Sequence, residues 1–554
     1  MARSKKSRFI PLYVSLGIVF GILVGNFYAN QYSGKSLSII NASGNKLNDL
    51  LHIIDDQYVD TVNVADLVEK ALPQIMSELD PHSVYVSASE VEESMQDLKG
   101  SFSGIGVQFF PYRDTICVVN VIPGGPSERA GLKAGDRIVR IDGELYVGDK
   151  IVNNDTTKKR LKGTTGTTVQ LGIVRPGEDK ELSYSIIRGD VPVKTVDAAY
   201  MVNDSTGYIR ITSFGDTTYP EFLAALAKLN GYDFQHIILD LRGNLGGYLH
   251  PSVQVANEFL PKDRLIVYTE GRKSPREEYR SDGRGSYQTM PMVVLVDETS
   301  ASSSEILTGA IQDNDRGIII GRRTFGKGLV QIPIEFNDGS MLRLTKARYY
   351  TPSGRCVQKP YVMGDESSYD MDLVDRLTHG EFFSKDSIKS GGEEYVTRIG
   401  RKVYGGGGII PDVFIPRDTL GMTSYFKEAY MQGLFPKFAF SFVDDHRKEM
   451  SNLRTLEEVE HYLKKFRLVD LFVRYAQNSG LKRRNLLIAK SRKLIESYVV
   501  SAILSDLLDV EELVKYVNRD DPYLTEALRL FREGKAFPKV EEVADSLKSA
   551  VPSK

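Results

Sequence analysis

Met292-Val293-Val294-Leu295-Val296-Asp297-Glu298-Thr299-Ser300-Ala301-Ser302-Ser303-Ser304-Glu305-Ile306 is the stretch on which the reading of the fold turns. An apolar run of the kind that forms a buried strand passes through a turn of small residues into Leu307-Thr308-Gly309-Ala310-Ile311-Gln312. Strand, tight turn and helix is one way to present a nucleophilic hydroxyl, because the helix N-terminus behind it favours developing negative charge. A second apolar run, Gly317-Ile318-Ile319-Ile320, then feeds Gly321-Arg322-Arg323-Thr324-Phe325-Gly326-Lys327-Gly328-Leu329-Val330-Gln331.

Three readings of this stretch compete. In the first, it is a core strand–helix–strand unit whose serines only cap a helix. In the second, Gly321 to Lys327 is a phosphate-binding loop, since it fits G-x-x-x-x-G-K after a strand. That reading fails at Gly328, which has no hydroxyl for magnesium. It fails again at Leu329 to Phe336, which alternates like a strand where such a loop must open a helix. In the third, the stretch holds a serine–lysine catalytic pair. A lysine serves as general base only when neutral, and burial among apolar groups drives it towards that state. Lys327, set between glycines and apolar residues, suits such desolvation.

Ser300-Ala301-Ser302-Ser303-Ser304-Glu305-Ile306 followed by Thr324-Phe325-Gly326-Lys327-Gly328-Leu329-Val330-Gln331 resembles the signature of the carboxy-terminal (tail-specific) processing proteases. The resemblance implies that Ser302 is the nucleophile, that Lys327 is the general base and that Gln331 orients the lysine. Ser303 stands where the family usually has alanine, a small residue that contributes mainly a backbone N–H. Either half of the signature alone is unspecific; the joint match is specific.

The N-terminus bears on location. Arg3, Lys5, Lys6 and Arg8 precede the uncharged run from Ile10 to Ala29, which is long enough to span a bilayer with its basic flank in the cytoplasm. A cleaved signal peptide is the rival, but Phe27-Tyr28-Ala29 is a poor cleavage site. The expectation is a cytoplasmic tail over 1–9 and a single-pass inner-membrane anchor over 10–29, with the remainder on the periplasmic side. Residues 30–99 read as a helical cap. Leu47, Leu50, Leu51 and Ile54 form one amphipathic stripe, and a second helix over 65–79 is interrupted by Pro73. Asp80-Pro81-His82-Ser83 ends it and resembles the family's L-D-P-H-S motif, with His82 read as a loop histidine that serine–lysine chemistry does not need.

Residues 100–188 carry short strands and turn glycines in the order of a PDZ domain. Gly104, Ile105, Gly106 and Val107 would form its carboxylate loop, where backbone N–H groups take a peptide's terminal carboxylate and the peptide adds a strand. Residues 189–416 alternate strands with helices, which indicates an α/β core. The resemblance implies a Clp protease/crotonase-like fold for that core, with the PDZ domain inserted. The buried strand His236 to Leu241 ends in Arg242-Gly243-Asn244-Leu245-Gly246-Gly247, again similar to the family. The N–H of Gly246 or of Gly247, with that of Ser303, would form an oxyanion hole. Asp240 and Arg242 also read as a structural ion pair. Tyr361 to Lys402 reads as a polar insertion or long loop, and Gly407-Gly408-Ile409-Ile410-Pro411-Asp412 closes the resemblance.

Residues 417–554 read as an α-helical region, with a capping-box pattern at Thr455-Leu456-Glu457-Glu458 and a stop at Asn478-Ser479-Gly480. Helices also fit 485–508 and 510–517. Homo-oligomer formation and adaptor binding are alternative expectations for this region. With 41% hydrophobic residues the chain can form more than one core, and a net charge of −2 gives no field for nucleic acid. Cys117 and Cys356 are too few for a disulfide framework or a metal cluster and read as buried thiols. Scattered histidines and the lack of a zinc motif imply neither metal nor organic cofactor. The expected function is a serine endopeptidase of the cell envelope acting on proteins or peptides with free C-termini. The alternative is an inactive PDZ scaffold that binds tails without cutting them.

Overall fold

A computed structural model describes residues 35–112, 114–148, 153–389 and 392–539. The expected cytoplasmic tail 1–9 and anchor 10–29 lie outside the described residues. Among the described residues no helix is long and apolar enough to cross a membrane. The chain divides into two units, Met1–Met76 and Ser77–Lys554. In the first, α1 (Lys35–Gln57) bears the expected stripe, with Leu47 and Leu50 exposed to solvent. Helix α2 (Val64–Ser77) continues through Pro73, where the sequence reading had an interruption. A proline removes one N–H from the ladder, and here the apolar stripe runs past it to the buried Met76.

The second unit holds everything else. Strands β1 (Val107–Tyr112), β2 (Thr115–Val121), β3 (Arg137–Ile141), β4 (Thr168–Val174) and β5 (Leu182–Ile187) follow one another in an antiparallel sheet. Their alternate residues, among them Ile116, Val118, Ile138, Leu171 and Ile186, form a separate apolar core with Leu161 of α3 (Asn154–Leu161). Strand β1 is at the edge of this sheet, so one of its sides is unpaired among the described residues.

The larger part of this unit is built on a six-stranded sheet. Strands β6 (Val196–Asn203), β7 (Thr206–Ile211), β8 (His236–Asp240), β9 (Met292–Val296), β10 (Ile318–Gly321) and the short strand Val413–Phe414 lie in that spatial order. Every pair but the first is parallel. Parallel strands are covered on both faces, which is why β9 is buried at every residue. One face carries α4 (Thr218–Asn230), α5 (Leu249–Asn257) and α6 (Ser303–Asp313), packed through Phe222, Leu226, Val255, Ile306 and Ala310 against Ile237, Leu239, Val294 and Ile319.

A second sheet lies beside the first. It contains β11 (Leu329–Glu335) and β12 (Met341–Tyr350), paired antiparallel, with Val84–Val86 and Leu265–Gly271 also joined to β12. Residues 84–86, expected in the helical cap, are thus part of the sheet that carries Gln331. The stretch 361–402 is not a long loop. It contains α7 (Glu366–Thr378) and a hairpin of Glu394–Val396 with Lys402–Tyr404, because its polar composition hides helical apolar spacing that buries Tyr369.

The C-terminal region is helical as expected, with the Thr455–Glu458 capping box formed and a helix ending at Asn478. Helices α8 (Leu434–Asp445) and α9 (Asn485–Leu507) share an aromatic-rich core that includes Phe435, Phe438 and Phe472. Helix α8 also meets the outer face of the PDZ sheet. Arg137 pairs with Asp444 at 2.7 Å, Tyr112 donates to Ser441 Oγ at 3.0 Å, and Phe440 packs on the Phe110 and Tyr112 rings. Of the last two described helices, α10 (Val510–Asn518) still touches this bundle through Leu513 and Tyr516, and α11 (Pro522–Arg532) leaves it. With Val514, Leu524, Ala527, Leu530 and Phe531 they cover the other face of the catalytic sheet, over Tyr208, Ile238, Val293 and Leu295. The boundary drawn in the sequence at Arg417 therefore separates segments that meet again in one α/β/α sandwich.

Candidate active site

Strand β9 ends at Val296, and the turn 297–302 leads directly into α6. Ser302 is the residue before the helix, with φ 55° and ψ −115°. A side chain in the left-handed region costs about 1–2 kcal/mol, so other contacts must hold it there. Ser300 Oγ donates to the Leu241 carbonyl at 2.9 Å, and the Ala301 N–H donates to the Asn244 carbonyl at 3.0 Å, tying the turn to the neighbouring loop. Ser302 itself is partly exposed.

Glu305, one turn into α6 and fully buried, holds Ser302 and Lys327 in register. Its Oε2 accepts the Ser302 N–H at 2.9 Å and the Lys327 N–H at 2.8 Å. Its Oε1 accepts the Gly326 N–H at 2.8 Å and the Thr324 hydroxyl at 2.6 Å. Burying an ion costs several kcal/mol, and four donors at about 1.5–3 kcal/mol each can offset that. Burial pushes the Glu305 pKa up to about 7, against the pull of the four donors. The buried Tyr349 hydroxyl shares its one proton between the Ser302 and Lys327 carbonyls, at 3.0 and 2.6 Å. Both segments are therefore clamped through N–H and C=O alike. No hydrogen bond joins the Ser302 and Lys327 side chains, so it is their backbones that the fold fixes.

Lys327 is half-buried, and its pKa is depressed by burial first and by the Arg343 guanidinium second, with Glu305 and Asp80 opposing. His82 lies in the same environment. Burial and then the Lys327 charge lower its pKa to about 4, which leaves the imidazole neutral at pH 7. Its Nε2 meets the Tyr369 hydroxyl at 2.9 Å, and its carbonyl accepts from Gln331 Nε2. The loop before it is stapled to β12 by Thr345, which reaches Asp80 and Ser83. His82 is thus a held loop histidine, and its contribution to the site is a backbone acceptor for Gln331.

The loop after β8 lies against the turn. A side chain at Gly246, where φ is +101°, would stand 2.7 Å from the Ser302 Cβ and 2.7 Å from the Ala301 carbonyl oxygen, so only glycine fits. The Gly246 N–H donates to Asn244 Oδ1 at 2.8 Å. None of the described hydrogen bonds uses the N–H of Gly247 or of Ser303. The Ser303 hydroxyl faces the Gly247 and Tyr248 carbonyls, at 2.9 and 3.0 Å.

The sequence pattern of peptidase family S41 matches residues 205–368, that of the PDZ domain residues 103–186, and that of a family of unknown function residues 425–509. The carboxy-terminal-processing protease of Bartonella bacilliformis is 37% identical over 324 residues, which cover 56% of this chain and 72% of that protein. The chain belongs to the carboxy-terminal processing proteases. It is a serine peptidase of mixed α/β fold with a PDZ domain and a helical C-terminal region. Carboxy-terminal processing protease CtpB of Bacillus subtilis is 33% identical over 347 residues, 62% of this protease and 71% of its relative. A solved photosystem II D1 C-terminal processing protease is 24% identical over 67% of this protease and 92% of its own chain, with a TM-score of 0.34.

In this protease the stretch Gly104 to Val107 links the strand Ser101–Gly104 to β1, with Gly106 at φ +77°. The Ile105 and Gly106 carbonyls accept from Ser127 and Ile122, which pins the loop at the head of the unpaired edge. Sequence reasoning missed Tyr349, Arg343 and Tyr369, which lie far along the chain and carry no local signal. It quoted Glu305 without a role, although S-x-x-E ahead of an apolar run is a recognised pattern for a carboxylate turned back on a helix start.

Proposed function

We propose that the protease cuts substrate chains near their C-termini with Ser302 as nucleophile and Lys327 as general base. Ser302 Oγ bonds to the scissile carbonyl carbon while its proton passes to neutral Lys327. The tetrahedral oxyanion takes the N–H groups of Gly247 and Ser303, neither of which is used by a described hydrogen bond. Collapse breaks the C–N bond, and Lys327 returns the proton to the leaving amine. Water then adds to the acyl-enzyme ester, giving its proton to Lys327, and the ester bond breaks as Lys327 returns that proton to Ser302 Oγ. Gln331, anchored through its nitrogen to the His82 carbonyl, keeps its Oε1 to accept from the lysine.

The observation that carries this reading is the shared carboxylate oxygen of Glu305, which ties the Ser302 and Lys327 backbones together. The PDZ domain supplies the substrate, taking a free carboxylate at Gly104 to Val107 and adding the tail to the open edge of β1. Residues 10–29 anchor the protease in the inner membrane with its catalytic part in the periplasm, and the C-terminal helices are a surface for self-association. A fluorophosphonate probe tests the nucleophile. Labelling of the wild type and none of Ser302→Ala is expected; equal labelling of both would refute the assignment and revive a tail-binding scaffold.

A further inference from the structure

Helix α11 starts at Pro522, and the residues flanking that proline reach two loops of the active site. Asp521 Oδ1 caps the helix by accepting the Tyr523 N–H at 2.8 Å, while Oδ2 accepts from Arg242 Nη1 at 2.7 Å. The Tyr523 ring lies under the same guanidinium, 4.5 Å from its carbon, and the Tyr523 hydroxyl accepts from Arg322 Nη1. Arg242 opens the loop that ends at Gly246 and Gly247. Arg322 opens the loop that ends at Lys327, and its Nε donates to Glu298 at 2.6 Å. Two residues from the far end of the chain, one on each side of Pro522, therefore hold the roots of both loops.

These contacts exceed what α11 or Arg242 needs for its own stability. Leu524, Ala527, Leu530 and Phe531 already seat the helix in an apolar cluster. The Asp240 carboxylate already neutralises Arg242, accepting from Nε at 3.0 Å and from Nη2 at 2.6 Å. Asp521 and Tyr523 add a constraint on where the guanidinium stands, and so on where the loop after β8 begins. We propose that Asp521 and Tyr523 are positioning residues of the protease, holding the Arg242 loop with the Gly247 oxyanion donor and the Arg322 loop with the base in one fixed relation. The inference rests on the Ser302–Lys327 reading. It gives the C-terminal helices a part in catalysis rather than in self-association alone. A misplacement of about 1 Å at a reacting centre can cost about a hundredfold in rate, so loosening this anchor acts on kcat.

The test uses the full chain in detergent and a fluorogenic peptide with a free C-terminus, with wild type, Asp521→Asn, Tyr523→Phe and Ser302→Ala in parallel. Asparagine keeps the helix cap and loses the charge facing Arg242; phenylalanine keeps the ring and loses the acceptor for Arg322. The expected result for each is a fall in kcat of about tenfold or more, with KM within about twofold, and fluorophosphonate labelling slowed to match. Wild-type kcat and labelling rate in both, with only a lower melting midpoint, would overturn the proposal and leave α11 a packing element. If Asp521→Asn does not fold, Tyr523→Phe, which loses a single oxygen, decides between these outcomes. Cleavage persisting in Ser302→Ala would overturn the dyad, and this proposal with it, a result distinct from unchanged kcat in the α11 variants.

Discussion

The Lys327 N–H and the Ser302 N–H meet on a single oxygen, Oε2 of Glu305, at 2.8 and 2.9 Å. The position of Lys327 relative to Ser302 is therefore set by a buried carboxylate that bonds to neither side chain. Glu305→Gln replaces one of its two acceptor atoms with a donor and leaves at least one N–H group at this junction unpaired, at about 1–3 kcal/mol. The expected loss in kcat is about a hundredfold or more, read with a peptide substrate and checked by the rate of fluorophosphonate labelling.

The pH profile should report the lysine. Lys327 acts only when neutral, and its pKa is depressed, so kcat/KM should rise with pH through a value below the usual ~10.4. Arg343 is one cause of the depression; removing its charge in Arg343→Gln should let the pKa recover and move the rising limb to higher pH. A limb that stays in place in that variant would show that another group controls it. His82 is held neutral, with its pKa near 4. His82→Ala, which keeps the carbonyl used by Gln331, should leave a single lysine limb.

Tail capture predicts a dependence on the substrate's terminal charge. Backbone donors bond more strongly to a carboxylate than to an amide, and capture raises the tail's effective concentration at Ser302. Two peptides differing only in C-terminal amidation should be cut at different rates, the amidated one more slowly. A bulky residue at Gly106, already at φ +77° with Val191 3.3 Å from any added Cβ, should erase most of that difference. Equal cleavage of both peptides by the wild type would leave the PDZ domain without this role.

The strand–turn–helix around Ser302 was legible because its signals are local: an apolar run, a cluster of small residues, then helical spacing. The order of PDZ strands was legible for the same reason. The partner of the Gly246 N–H was not, since it depends on Asn244 turning its side chain onto that group. An Asn two residues before a glycine is a known turn signature, and it was the available clue. Tyr349 had no clue at all, because its hydroxyl joins two carbonyls that only the folded chain brings together. The placement of α10 and α11 on the catalytic sheet was hidden in the same way. Their amphipathic spacing announces a buried face and does not say which core buries it.

The membrane assignment makes its own prediction. A reporter active only outside the cytoplasm, fused after Ala29, should be active, and the protease should sediment with membranes. A soluble mature form beginning near Asn30 would show that the segment is removed instead.

The most direct test of the Ser302–Lys327 dyad is the cleavage rate of an unfolded protein by Lys327→Ala beside Ser302→Ala. Residues of one catalytic unit fail together rather than additively. Both variants should be folded and each should lose at least about a thousandfold in kcat/KM, with the double variant no worse than either. Lys327→Ala retaining activity within about tenfold of wild type would contradict the lysine as base.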